Sequence, residues 1–547
     1  MKASIPPVLI TFALVCVALV QNAQAVVPAP DGGYPGFTTA EGTKALQSLT
    51  TGSANTAVGW FSLFSDATGS FNTATGAGTL LFNTADANTA FGAAALLFNT
   101  TGTNNTAVGA AALLHNTTAE ENTATGAFAL NSNTDGDFNT ANGAFALQVN
   151  TTGERNTATG DSAMFSNTTG SRNTATGNAA LGNNSTGNDN TGIGSGALFS
   201  NNSSGNTAVG ADALSDNTTG DSNTAVGAST LSNNTSGMRN NAVGKGALFS
   251  HLTGNFNNAV GAFALNADTA GTGNNAFGDA ALASNTMGLQ NTAIGDNALS
   301  GNTTGNWNTA VGQGALSSNV AADNNTAVGR FALDNNTMGS NNVALGLQAG
   351  SAVSTASNVI CIGANIAGEN VNNSCYISRI FGEPSSGGVG VFVNALGKLG
   401  TSPSARRFKE AIQPMDKASE AILSLKPVTF HYKNDAKDTP QFGLIAEEVA
   451  EVNRDLVVRD EKGELYSVRY DAVNAMLLNE FLKEHRKNEE QQATITELKS
   501  TVAKQQKDFQ ATVAQLTTRL DEQAAQVQKV SAQLEGSKPA PQVVNNP

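Results

Sequence analysis

Ser404 and Lys409 lie five residues apart, where a sparsely charged stretch of chain gives way to a charged one. A serine hydroxyl is a weak nucleophile unless a neighbouring base takes its proton. A lysine amine can be that base once burial favours its neutral form. Such a pair supports acyl transfer at a peptide carbonyl and needs no metal or cofactor. The spacing alone fits equally well a solvated basic patch of Arg406, Arg407 and Lys409. Other reactive side chains are less promising. His431 alternates with Phe430 and Tyr432 in a strand-like run, which predicts an ordinary strand position. Glu447 and Glu448 open a helical pattern, where carboxylates complement the helix dipole, and form no glycosidase pair. His115 and His251 each sit alone in a long repeat, in positions read as variable, and no carboxylate constellation recurs around them.

That repeat dominates the 547-residue chain. Gly recurs at Gly59, Gly76, Gly92, Gly109, Gly126 and onward to Gly346, in steps of 17 residues with two steps of 16. Each unit approximates N-T-A-V-G-x-x-A-L-x-x-N-T-T-G-x-x, as in Asn105 to Gly109, Ala112-Leu113 and Asn116-Thr117-Thr118. Ala stands two residues before the marked Gly in all units but one, at Gly192. Leu stands four after it except at Met164 and Gly350. Positions repeating this strictly within one chain are stacked on their own copies. Two short extended runs separated by Gly and Asn corners predict a coil of a parallel β-solenoid over residues 38–346. A 17-residue unit leaves no room for a helix pair.

The Asn-Thr segments match the N-x-S/T glycosylation acceptor, but their fixed phase favours turn residues with stacked amides. A disordered reading fails on the invariant Ala and Leu positions. Cores built on Ala and Thr are thin and would gain from self-association. The pattern is similar to the head repeats of trimeric autotransporter adhesins, over roughly residues 38 to 365. It departs from them in its longer period and in lacking a C-terminal membrane barrel.

Charged residues make up only 13 % of the chain and the net charge is -14, which excludes nucleic acid as a partner. Lys2, the apolar run Ile5 to Val20 and Ala23-Gln24-Ala25 read as an export signal, residues 1–25. The mature chain would then have no transmembrane segment and be extracellular, at the cell surface or periplasmic. Cys361 and Cys375 would remain in an oxidising compartment, where an even count predicts a disulfide between them.

Beyond the repeat come four ordered segments: Ser404-Ala405-Arg406-Arg407-Phe408-Lys409, Lys426-Pro427-Val428-Thr429-Phe430-His431-Tyr432, Gly443-Leu444-Ile445-Ala446-Glu447-Glu448-Val449 and Val468-Arg469-Tyr470-Asp471. Together, over about residues 404 to 487, they resemble the intramolecular chaperone domain of endosialidase and related phage tail spikes, a serine-lysine self-cleaving family. The resemblance implies Ser404 as nucleophile, Lys409 as general base, the Pro403–Ser404 bond as the cleavage point and a homotrimer as the assembled state. Ala405 departs from the Asp often found after that serine. From about Gln491, Ile495, Leu498, Val502 and Phe509 share one heptad phase. Val513, Leu516, Leu520, Val527, Val530 and Leu534 continue it after a four-residue stutter, which predicts a coiled coil.

The sequence thus predicts a mainly β protein. Its parts are a signal (1–25), a linker (26–37), the solenoid (38–346), a connector with the cysteine pair (347–403), an α+β chaperone-like domain (404–487), a coiled coil (488–535) and a disordered tail (536–547). The corresponding function is an exported oligomeric fibre or adhesin-like protein that binds itself and, through an unspecified surface, a cell or glycan. Its terminal domain directs assembly and then cleaves itself off. A fibre with an inactive terminal domain and a tail-spike-like secreted hydrolase are the alternatives.

Overall fold

The structure, a computed structural model, describes residues 36–381, 385–433, 435 and 437–537. The signal, most of the linker and the tail beyond residue 537 lie outside the described residues. The chain forms two compact units, residues 1–383 and 384–547.

In the first unit a 21-stranded sheet is built from three-residue parallel strands, beginning at Thr39–Glu41 and ending at Cys375–Ile377. Each strand pairs in register with the equivalent residues one repeat on, as Thr106↔Thr123, Ala107↔Ala124 and Val108↔Thr125 show. The central residue of each strand points inward, into a slot that holds a small side chain in every strand before the last, where Tyr376 stands: Ala57, Ala107 and Ala158 are fully buried. The flanking residues point outward. The marked glycines close the corner at positive φ, 142° at Gly109, and a Cβ there would fall 2.3 Å from the carbonyl oxygen of Gly126. Only glycine fits both the torsion and the approach of the next coil.

The second arm of each coil differs from the extended run expected of it. It curls through left-handed residues, with φ of 55° at Ala111 and 51° at Leu113. L-residues resist this conformation by roughly 1–2 kcal/mol each. The curl turns the Leu side chain into the core, where full burial contributes about 1.5–3 kcal/mol, and keeps its N–H bonded to the next coil, Leu113 to the Ala129 carbonyl at 2.9 Å. Repetition makes this tolerable, because every coil adopts the same strained turn and satisfies its neighbour's backbone.

Two internal asparagine ladders complete the core. In one, each backbone N–H donates to the amide oxygen one coil earlier, as from Asn122 to Asn105 at 3.0 Å and from Asn139 to Asn122 at 2.9 Å. In the other, side-chain amides bond directly: Asn116 Nδ2 donates to Asn99 Oδ1 at 2.8 Å and Asn133 Nδ2 to Asn116 Oδ1 at 3.0 Å. Asn116, the first residue of a glycosylation-like triplet, is fully buried, so it serves the ladder and is closed to modification.

The solenoid runs further than the sequence boundary at 346. Ile360–Ile362 and Cys375–Ile377 add two more coils in register. Cys361 occupies the inward Ala slot and pairs across the sheet with Tyr376, while Cys375 lies opposite Ile360 on the outward side. The expected disulfide is therefore absent: both thiols are free, Cys361 buried and Cys375 exposed, because strand alternation sends the two side chains to opposite faces. Burial pushes the Cys361 thiol up, and the nearby Cys375 adds to the effect.

The second unit is α+β. It holds the antiparallel pairs Val391–Val393 with Leu399–Thr401, Val428–Phe430 with Gln441–Gly443, and Val457–Arg459 with Leu465–Val468. Three 3-10 segments, Arg406–Phe408, Asp416–Ser424 and Arg454–Leu456, a short helix Ala446–Val452 and a 66-residue helix Tyr470–Glu535 accompany them among the described residues. The core is small, centred on Val449, Leu456, Val468 and Met476. The long helix passes without a break through the boundary placed at 487, because nothing in its sequence interrupts helical propensity there. At 1.5 Å per residue it spans roughly 100 Å.

Candidate active site at the start of the second unit

The 3-10 turn Arg406–Phe408 brings Ser404 and Lys409 together. Phe408 N–H donates to the Ala405 carbonyl and Lys409 N–H to the Arg406 carbonyl, at 2.9 and 3.0 Å. Ala405 before the turn and Lys409 after it are extended, so the chain folds back over its five-residue span. Lys409 Nζ then donates to Ser404 Oγ at 3.1 Å. Arg407 stacks over the Phe408 ring at 4.7 Å instead of joining the pair. Pro403, whose carbonyl precedes the serine, lines a groove with Phe392, Leu399, Val458, Tyr466 and Asp471. Its walls come from two antiparallel pairs and the first turn of the long helix.

Both members of the pair are exposed within a single chain. The arrangement provides a nucleophile in hydrogen-bond contact with an amine. It does not provide the exclusion of water that makes a lysine an effective base.

The remaining sequence candidates fall elsewhere. His431 follows the strand Val428–Phe430 and turns its Nδ1 to Asp438, 2.8 Å from Oδ1, with Phe430 and Tyr432 packed edge to face beside it. Glu447 and Glu448 occupy the first turn of Ala446–Val452. His115 is exposed and stacks on Phe98 at 5.4 Å between ring centres. His251 departs from its reading as a variable position, whereas His115, six residues after Gly109, does sit at one. His251 stands in the side-chain amide ladder, seven residues after Gly244 as Asn116 is after Gly109, and is fully buried. Its Nδ1 lies 2.7 Å from Asp268 Oδ2 and its Nε2 2.7 Å from the Gly254 carbonyl, so a matched His–Asp step replaces two asparagines.

One cluster escaped sequence reasoning because its members are 60 residues apart. Ser419, buried in the Asp416–Ser424 segment, accepts from Asn479 Nδ2 at 2.7 Å and bonds Glu480 Oε1. Lys483 sits 2.7 Å from Glu480. Lys483, then Ser419, hold the Glu480 carboxyl below the usual range. The cluster fastens the segment after the Ser404–Lys409 turn to the long helix. Among the described residues, no group of three or more His, Cys, Asp or Glu side chains is placed to hold a metal.

Residues 404–458 match a family model described as chaperone of endosialidase, and the match begins at Ser404 itself. No curated protein and no solved structure matches the chain. Among the described residues no helix is long and apolar enough to cross a membrane. A segment that matches the chaperone-of-endosialidase model, following in sequence a β-solenoid of 17-residue coils, fits a structural, tail-fibre-like protein.

Proposed function

We propose that the chain is an exported fibre subunit whose C-terminal unit aligns the copies, assists formation of the solenoid and then severs itself at the Pro403–Ser404 bond. The observation that carries this reading is the 3.1 Å contact from Lys409 Nζ to Ser404 Oγ at the first residue of the family match. Ser404 Oγ attacks the Pro403 carbonyl carbon while Lys409 takes the hydroxyl proton. The Pro403–Ser404 C–N bond then breaks, the Ser404 nitrogen receives the proton, and water hydrolyses the resulting ester.

The exposure of the pair in one chain supports coupling of cleavage to assembly. The long helix leaves Leu498, Val502, Phe509, Leu516, Leu520 and Val527 more than half exposed at heptad spacing, a face that calls for partner helices. Association in parallel brings neighbouring chains around the Ser404 turn and removes water from it. A homotrimer is the state the resemblance implies. Assistance has a physical reason too, since a parallel solenoid forms by non-local pairing, and unfinished coils expose strand edges.

Electrophoresis of the folded full-length protein beside Ser404→Ala and Lys409→Ala tests the proposal. The parent is expected to give two bands and each variant one. Two bands from Ser404→Ala would end the assignment.

A further inference from the structure

The outward face of the solenoid strands is unusual for a protein of this charge. From Thr56–Val58 to Cys375–Ile377, no outward strand position carries a charge, although the chain has a net charge of -14. Charged repeat residues are placed on turns instead, for example the Arg172–Asp189 pair across successive coils.

The two halves of this face also differ. In the earlier coils the residue before the corner glycine is often polar: Thr75, Thr125, Asn142, Thr159 and Thr176. From Ile193 onward the third strand position is apolar in twelve successive strands, through Val260, Ile294 and Val328 to Ile377, where Ser378 replaces the corner glycine. Most of these side chains lie open in the single chain, Ile193, Val243 and Leu345 at 41, 41 and 50 % exposure, while Val209, Val311 and Val328 are half-buried. In the last coils the stripe doubles in width, as Val343 with Leu345 and Ile360 with Ile362 present both outward positions.

We propose that this stripe, from Ile193 to Ile377, is where the solenoids of neighbouring copies of this chain pack against one another in parallel. Three features select a second copy over another occupant. Copies facing each other around an axis bring identical residues together, so any charge on the face would meet its own sign and repel. Absence of charge over the whole face meets that condition. The apolar residues recur once per coil, about every 4.8 Å for roughly 50 Å, a pitch that another copy matches without adjustment. The stripe's area, on the order of several hundred Å² per copy and below the ~800 Å² per partner of a standard stable interface, suits copies already held together by their helices. This inference rests on the oligomeric part of the proposed function and names the surface that the solenoid contributes to it.

Cysteine cross-linking in the full chain tests it. Cys361→Ala, which restores the common residue of its slot, and Cys375→Ser clear the background. Single probes are then added: Val260→Cys or Val328→Cys on the stripe, Thr219→Cys on an exposed turn, and Leu516→Cys on the helix. Mild oxidation is expected to link chains covalently through Val260→Cys, Val328→Cys and Leu516→Cys, with Thr219→Cys at least tenfold weaker. Linkage at Leu516→Cys while Val260→Cys and Val328→Cys stay at the Thr219→Cys level would overturn the stripe and leave the helix-mediated oligomer standing. Failure at Leu516→Cys as well would overturn both.

Discussion

The two units solve the problem of burial in opposite ways. In the solenoid each coil is completed by the coils before and after it: Ala107 and Leu113 are sealed, backbone donors find carbonyls one repeat on, and even internal amides bond along ladders. In the C-terminal unit four apolar side chains make the buried core among the described residues, and a 66-residue helix displays its apolar heptads to solvent. Repetition gives the interior of the first unit its partners from within the chain, whereas the helix of the second leaves an apolar face uncovered within one chain. Under the proposed function, that open face is where copies align before Ser404 reacts.

The sharpest way to break this contrast is to damage the helix. Leu498→Asp combined with Leu516→Asp should convert the oligomer to monomers and abolish cleavage, while the β-rich circular dichroism of the solenoid persists. Sedimentation and electrophoresis on the same preparation read both effects. The reciprocal damage is smaller and stays in the first unit. Leu113→Ala removes a sealed side chain and should cost about 3 kcal/mol in solenoid stability without altering cleavage. Gly160→Ala places a Cβ 2.5 Å from the Gly177 carbonyl oxygen at a φ of 132°. It should lower solenoid stability by about 1–3 kcal/mol, measured by thermal unfolding.

The smallest effect is expected at the ladders. Asp66 is buried at a ladder position, and burial pushes its carboxyl up, against hydrogen bonds from Gly69, Asn72 and Asn83 that pull it down. Its folded value lies above its unfolded one, so the folded state holds the proton more tightly. Stability should therefore fall as pH rises from the unfolded value through the folded one. Asp66→Asn, the usual ladder residue, should raise stability at neutral pH by about 1 kcal/mol. That gain should shrink as acid protonates the parent's carboxyl, a trend that melting curves at several pH values would show.

How far the fold was legible depended on whether a signal repeated. The inward Ala, the corner Gly and the buried Leu were readable because each recurs at fixed phase. The left-handed backbone at Leu113 was not, since no single Leu advertises a conformation that only stacking makes affordable. Asparagines read as turn residues are fully buried, and the fixed phase that marked them as important did not show which way they faced. His251 was misread, although counting seven residues from Gly244 would have placed it in the ladder. The cysteine pair was judged by compartment and count, whereas strand alternation decided its geometry. At the candidate site, Ser404 and Lys409 were legible through the four companion motifs. The Ser419–Glu480 clamp, 61 residues apart, had no local signature.

If Ser404 cuts the chain in front of itself once copies have assembled, intact mass measurement of the folded full-length protein reads the cut. A 144-residue fragment beginning at Ser404 is expected, appearing only in oligomeric fractions and absent from Ser404→Ala. An oligomer that stays uncut, or a fragment beginning at any other residue, would contradict self-cleavage before Ser404.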